Sequence, residues 1–209
     1  CYFAWSSVRD LLMVPHTLNS QRGGFGMRGL AKSVLCNVAP GWDPDDAGST
    51  CEPLVDARGT WRGILMTGRD ARPEGKGCRV VCAVFFPFAL EAFWRTVLLR
   101  GEQPLDESLY GTGAGAKSDL VCLNEPIARD IKTALDCAGR GARERVIAIC
   151  TGVSLGAAFA TLNALVLGTC SGVDHVLLVT QGSPKVLSRD AVDHVDALCA
   201  TSDGNPRYP

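Results

Sequence analysis

The chain has 209 residues, 46% hydrophobic and 21% charged, with 21 basic against 22 acidic side chains. That apolar fraction excludes a disordered chain, which could not offset its conformational entropy, and a formal charge of -1 offers no attraction to nucleic acid. A domain of this length buries roughly 70% of its unfolded surface, so it needs no metal or disulfide to fold.

Residues 1–60 form a poorly readable N-terminal segment. "SSVRDLLMV" opens as a short helix capped by Ser6 or Ser7, and "NSQRGGFGMRG" and "APGWDPDDAGST" have the Gly, Pro, Asp and Ser content of loops. From residue 61 the pattern sharpens. "WRGILMT" predicts a strand, "GRDARPEGKG" a turn and "CRVVCAVFF" a buried strand. Leu90, Phe93, Trp94, Val97 and Leu98 then recur at the spacing of one helix face. "GTGAGAK" reads as a flexible loop, and "NEPIARDIKTALDCAGR" as a helix starting near Pro126.

The 28 residues from Val146 to Val173 carry no charge, long enough for a membrane span. Their composition predicts otherwise: "VIAIC" is a β-branched run, "TGVSLG" a tight turn and "AAFATLNALVLG" a helix. A strand "DHVLLVT", a short helix around "SRDAVDHV" and a last strand "DALCAT" complete the pattern. Strands alternating with helices predict an α/β domain over 61–209, with a mostly parallel sheet and helices on both faces.

The ten cysteines include no C-x-x-C pair and no Cys/His spacing of a zinc site, so no metal and no cofactor are expected. Cys82 and Cys150 lie in apolar runs and read as small buried hydrophobes. The chain starts at Cys1 rather than a methionine. We therefore expect the true N-terminus to lie elsewhere, and the missing signal peptide says nothing of compartment.

Gly152-Val153-Ser154-Leu155-Gly156 fits G-x-S-x-G. In a chain with 23 glycines the five letters alone are weak; the strand before them and the small-residue helix after them make the pattern specific. In that context the serine sits on a strained turn, the flanking glycines permit close backbone approach, and the Leu155 amide faces an oxyanion from the helix N-terminus. An ordinary β–α turn cradling an anion is the plainer alternative, although no G-K-[ST] follows to hold a phosphate.

"TGVSLGAAFATL" from Thr151 to Leu162 resembles the "TGHSLGGALATL" signature of the class 3 (fungal-type) triacylglycerol lipases of the α/β-hydrolase superfamily. "LLVTQGSPKV" from Leu177 resembles the strand and "GSPRVG"-like turn that follow in that family, and the final "DGNPRYP" resembles its D-x-V-P-x-L-P segment. The resemblance implies Ser154 as nucleophile, Asp203 as the acid that orients a histidine, and Leu155 as an oxyanion donor. It implies lipid esters as substrates and a transient contact with a lipid interface; residues 89–100 sit where that family carries an amphipathic lid, although the reading preferred for this apolar stripe is packing on the core, and oligomeric state stays open. The same resemblance implies that Gly152, Val153 and Gly156 form the nucleophile elbow.

Three departures accompany the resemblance. Val153 stands where the family has histidine. Phe86-Pro87-Phe88 replaces an "FRGT"-like oxyanion segment, so Phe88 marks the expected place of the second donor; losing such a donor costs about 10²- to 10³-fold in rate. "RGT" at Arg58–Thr60 reads as coincidence, with no apolar strand before it. Finally, His16, His175 and His194 all precede Asp203, whereas the family's histidine follows its acid. We expect the base beyond residue 209 and the C-terminal part of the domain missing. A catalytically inactive, lipid-binding or interaction relative is the alternative function.

Overall fold

The structure is a computed structural model that describes residues 50–69, 78–86, 101–138 and 145–200. Its centre is a five-stranded sheet of β1 (Thr50–Val55), β2 (Trp61–Arg69), β3 (Cys78–Phe85), β6 (Arg145–Val153) and β7 (His175–Gln181), in the order β1-β2-β3-β6-β7. β1–β2 and β2–β3 pair antiparallel, while β3–β6 and β6–β7 pair parallel. The sheet is thus mixed rather than mostly parallel. β1 and β2 are joined by only five residues, too few for the crossover that a parallel pair requires.

β1 lies inside the segment that the sequence left unread. Glu52 and Pro53 interrupt its apolar alternation, which an outer strand tolerates. A second, two-stranded sheet joins β4 (Glu102–Pro104) to β5 (Gly115–Lys117), with the short helix α1 (Glu107–Tyr110) between them. β5 corrects the reading of "GTGAGAK" as a flexible loop: besides β4, it is held by residues far along the chain, through Lys117 N–H to Val186 C=O and Ser188 N–H to Gly115 C=O.

Helix α2 runs over Ser118–Ala138, so Pro126 lies inside it rather than at its start. Leu120, Leu123, Ile127, Ile131 and Leu135 make one buried stripe spanning both sides of the proline. Packing of that stripe outweighs the hydrogen bond that proline removes. Helix α3 (Leu155–Thr169) is buried on nearly every side, as the central helix of the layer. Helix α4 (Arg189–Ala200) takes up residues 196–200 of "DALCAT", read above as a strand; Ala191 and Val195 supply its inward contacts one turn apart.

One apolar cluster joins one face of the sheet (Leu54, Leu65, Val81, Ala83, Phe85, Ala148, Cys150) to α1, α2 and α3, with Val195 of α4 packed against it. The opposite face forms a second buried cluster, including Ile64, Met66, Val80, Cys82, Val84, Ile147 and Ile149, to which no described helix contributes. Helices on both faces are therefore not seen among the described residues. The uncharged stretch 146–173 is divided between β6, a tight turn and α3, and no described helix is long and apolar enough to cross a membrane. The predicted helices near residue 6 and over 89–100 lie outside the described residues.

Candidate active site

β3 and β6 run parallel, so their C-terminal ends share one edge of the sheet, and there β6 turns abruptly into α3. The turning residue is Ser154, with φ 56° and ψ -125°. No other described non-glycine residue has a positive φ. A side chain in that region costs of order 1–3 kcal/mol and persists only where the surroundings over-determine it.

The surroundings do so through backbone contacts. Ser154 N–H donates to Gln181 C=O of β7 at 2.9 Å, and Ser154 C=O accepts from Ala157 N–H at 3.0 Å. A Cβ at Gly152 would stand 2.5 Å from the Gly156 carbonyl carbon and 2.8 Å from Ala157 N. One at Gly156 would stand 2.5 Å from Phe86 O and 2.7 Å from Phe85 O. Both glycines are therefore sterically required, one for the sharp return of the chain and the other for contact between α3 and the end of β3.

Val153 and Leu155 are buried on either side of the half-buried Ser154. The Ser154 side chain makes no capping bond, although a serine before a helix commonly does. Leu155 opens α3, where an amide has no intrahelical acceptor and carries the positive end of the helix dipole. A hydroxyl and a donor amide thus adjoin at a helix N-terminus. The neighbouring thiols do not compete as nucleophiles: burial pushes Cys82 up to about 12 and, with Cys82 beside it, Cys150 well above its ordinary value.

Other expected residues fall elsewhere. Phe88 and Asp203 lie outside the described residues, as does His16. His175 opens β7 opposite Ile147, six residues before Gln181, which puts it about 20 Å from the Ser154 edge. There its Nε2 accepts from the Arg145 guanidinium at 2.8 Å. His194 lies on α4, half-buried, with Asp190, Asp193 and Asp196 on the same helix. Gly182 (φ 63°) begins the turn after β7, and the Ser183 hydroxyl donates to Pro184 C=O within it. Among the described residues no group of three His, Cys, Asp or Glu side chains could hold a metal ion.

The turn Asp56–Thr60 reaches the Ser154 edge as well, because β1 ends there and β2 begins there. "RGT" therefore does follow a strand, yet its amides are occupied: Arg58 and Thr60 N–H donate to Asp56 Oδ1, and Gly59 N–H donates to Asp56 C=O. Asp-x-x-Gly is the usual spacing of a type I turn, and it was the available signal for this feature. A cavity of about 420 Å³, lined by Thr50, Thr67, Arg79 and Thr133 among others, lies at the opposite end of the strands from Ser154.

No family model and no curated protein sequence matches the chain. Solved structures do. A lipase–propeptide complex from Rhizomucor miehei matches with a TM-score of 0.54 at 15% identity, over 93% of this chain and 57% of that one. A fungal lipase matches at 0.51 and 16%, over 92% and 66%, and the M37 lipase at 0.50 and 14%, over 93% and 62%. The fold is similar to that of these lipases. The chain spans between 57% and 66% of their lengths.

Proposed function

We propose that the protein is a serine hydrolase cleaving carboxylic esters of lipids, with acylglycerols as the substrate class. The observation that carries this reading is the strained Ser154 at a strand–helix elbow, its hydroxyl outside any capping bond and the Leu155 amide beside it. In the reaction, Ser154 Oγ attacks the ester carbonyl while a histidine takes its proton. The oxyanion is held by the Leu155 amide and by a second amide near Phe88; the histidine returns the proton to the departing alcohol, and water then releases the acid.

Asp203 orients the histidine in this reading. His175 is on the opposite end of the sheet from Ser154, and the base in this reading is a histidine that follows Asp203 in sequence, as in the family that the motifs resemble.

A fluorophosphonate probe on the full-length protein tests the reading. Labelling of wild type that disappears in Ser154→Ala is the expected result. No labelling of wild type would favour the catalytically inactive, lipid-binding or interaction alternative.

A further inference from the structure

At the edge that carries Ser154, β2 holds one extra residue opposite β1: Leu54 pairs with Gly63 and Val55 with Trp61, which leaves Arg62 in a bulge. Bulges re-aim side chains and are over-represented beside active sites. Here the bulged arginine meets a carboxylate inside the protein. Arg62 Nε donates to Asp56 Oδ2 at 2.5 Å, with side-chain exposures of 9% and 0%. The other carboxylate oxygen accepts from the Arg58 and Thr60 amides at 2.8 and 2.9 Å, so one buried carboxylate organises the whole turn.

The pair reaches the serine through Phe86. Arg62 C=O accepts the Phe86 N–H at 2.8 Å, and the Trp61 indole packs edge-on against the Phe86 ring with centroids 5.3 Å apart. Phe86 C=O in turn lies against Gly156, where an added Cβ would stand 2.5 Å away. Phe86 is thus gripped between Arg62 and the first turn of α3, immediately before Pro87 and Phe88. A buried ion pair is weak support for stability, since neutral side chains of similar shape serve as well, but its fixed geometry specifies one backbone arrangement.

We propose that Asp56 and Arg62 are positioning residues for the oxyanion side of the Ser154 site: they fix the Phe86 backbone against Gly156 and so align the first turn of α3, which carries Ser154 and the Leu155 amide. This rests on the serine hydrolase reading. The test is the rate of phosphonylation of Ser154 by a fluorophosphonate in the full-length protein, resolved into kinact and KI well below the unfolding temperature. Asp56→Asn/Arg62→Gln keeps hydrogen-bonding groups and leaves no buried charge. We expect it to fold with a native near-UV circular dichroism spectrum and to lose about 10- to 100-fold in kinact with KI unchanged, the signature of misalignment rather than of lost structure. Asp56→Glu retains both charges but shifts the carboxylate by one methylene, and it should lose kinact in the same sense. If either folded variant reacts with the wild-type kinact, the positioning role is overturned and the hydrolase reading stands. If wild type does not react, both are overturned.

Discussion

Replacing Ser154 by glycine should make the protein more stable while abolishing its reactivity. At φ 56° and ψ -125° a serine pays about 1–3 kcal/mol of backbone strain that glycine does not. Against this, glycine adds about 0.5–1 kcal/mol of chain entropy to the unfolded state. No capping bond is lost, because the Ser154 side chain makes none, and little burial is lost from a half-buried residue. The balance is a gain of about 1.3 kcal/mol, or roughly 3–5 °C in Tm for a chain of this size. Ser154→Ala removes the same hydroxyl but keeps a Cβ in the strained region, so its Tm should stay near that of wild type. Both variants should fail to react with a fluorophosphonate. Differential scanning calorimetry of the three proteins decides the matter: equal Tm values for Ser154→Gly and Ser154→Ala would refute the strain argument, whatever the labelling shows.

Gly156→Ala should destabilise by about 1–3 kcal/mol and slow labelling of Ser154, since its Cβ, 2.5 Å from Phe86 O, must push the start of α3 off β3; Gly172→Ala, with open space around it, should leave urea unfolding and labelling unchanged. Asn124 and Asn163 form a fully buried amide pair (Asn163 Nδ2 to Asn124 Oδ1, 2.7 Å), with Asn124 Nδ2 also donating to Tyr110 Oη at 3.1 Å. Asn124→Ala should cost about 2–4 kcal/mol, and a double-mutant cycle with Asn163→Leu should show coupling above about 0.5 kcal/mol; additive urea midpoints would remove the pair from the account. Burial pushes the Tyr110 hydroxyl from 10.0 up to about 12, so the unfolded chain ionises first. Stability from this group is intact below pH 10 and falls as pH rises from 10 to 12, by at most about 2.7 kcal/mol; Tyr110→Phe should flatten that slope in pH-dependent unfolding.

The elbow was legible because its signals are local. A β-branched run, two glycines around a serine and an alanine-rich stretch each report on neighbours in sequence, and together they fix a strand, a sharp turn and a tightly packed helix. Features that depend on distant partners were not legible. β5 exists through its bonds to β4 and to residues 186–188, none of which leaves a mark in "GAK". α2 crosses Pro126 because a stripe of five buried residues holds both halves, and an isolated reading of proline as a helix start cannot weigh that. The turn at Asp56 was visible as Asp-x-x-Gly, but its connection to Phe86 follows from the β2–β3 register, which pairing alone reveals. The same limit kept a mixed sheet from being distinguished from a mostly parallel one.

The strain at Ser154 bears on the choice between an enzyme and an inactive relative. The elbow is held by β7 through Gln181, by β3 through Phe85 and Phe86, and by its own helix through Ala157. None of these contacts needs a side chain at position 154, and glycine would satisfy all of them at lower free energy. A domain that used the fold only to bind or to bear structure would therefore be served better by glycine. What serine adds is an Oγ outside any capping bond, beside the Leu155 amide at the positive end of a buried helix. That combination favours a group that attacks carbonyl carbon and stabilises the resulting oxyanion. It is built wholly from β3, β6, β7 and α3, elements of the core, so the fold itself preorganises the Ser154 hydroxyl, and under the proposed function only its activation is left to an acid and a base.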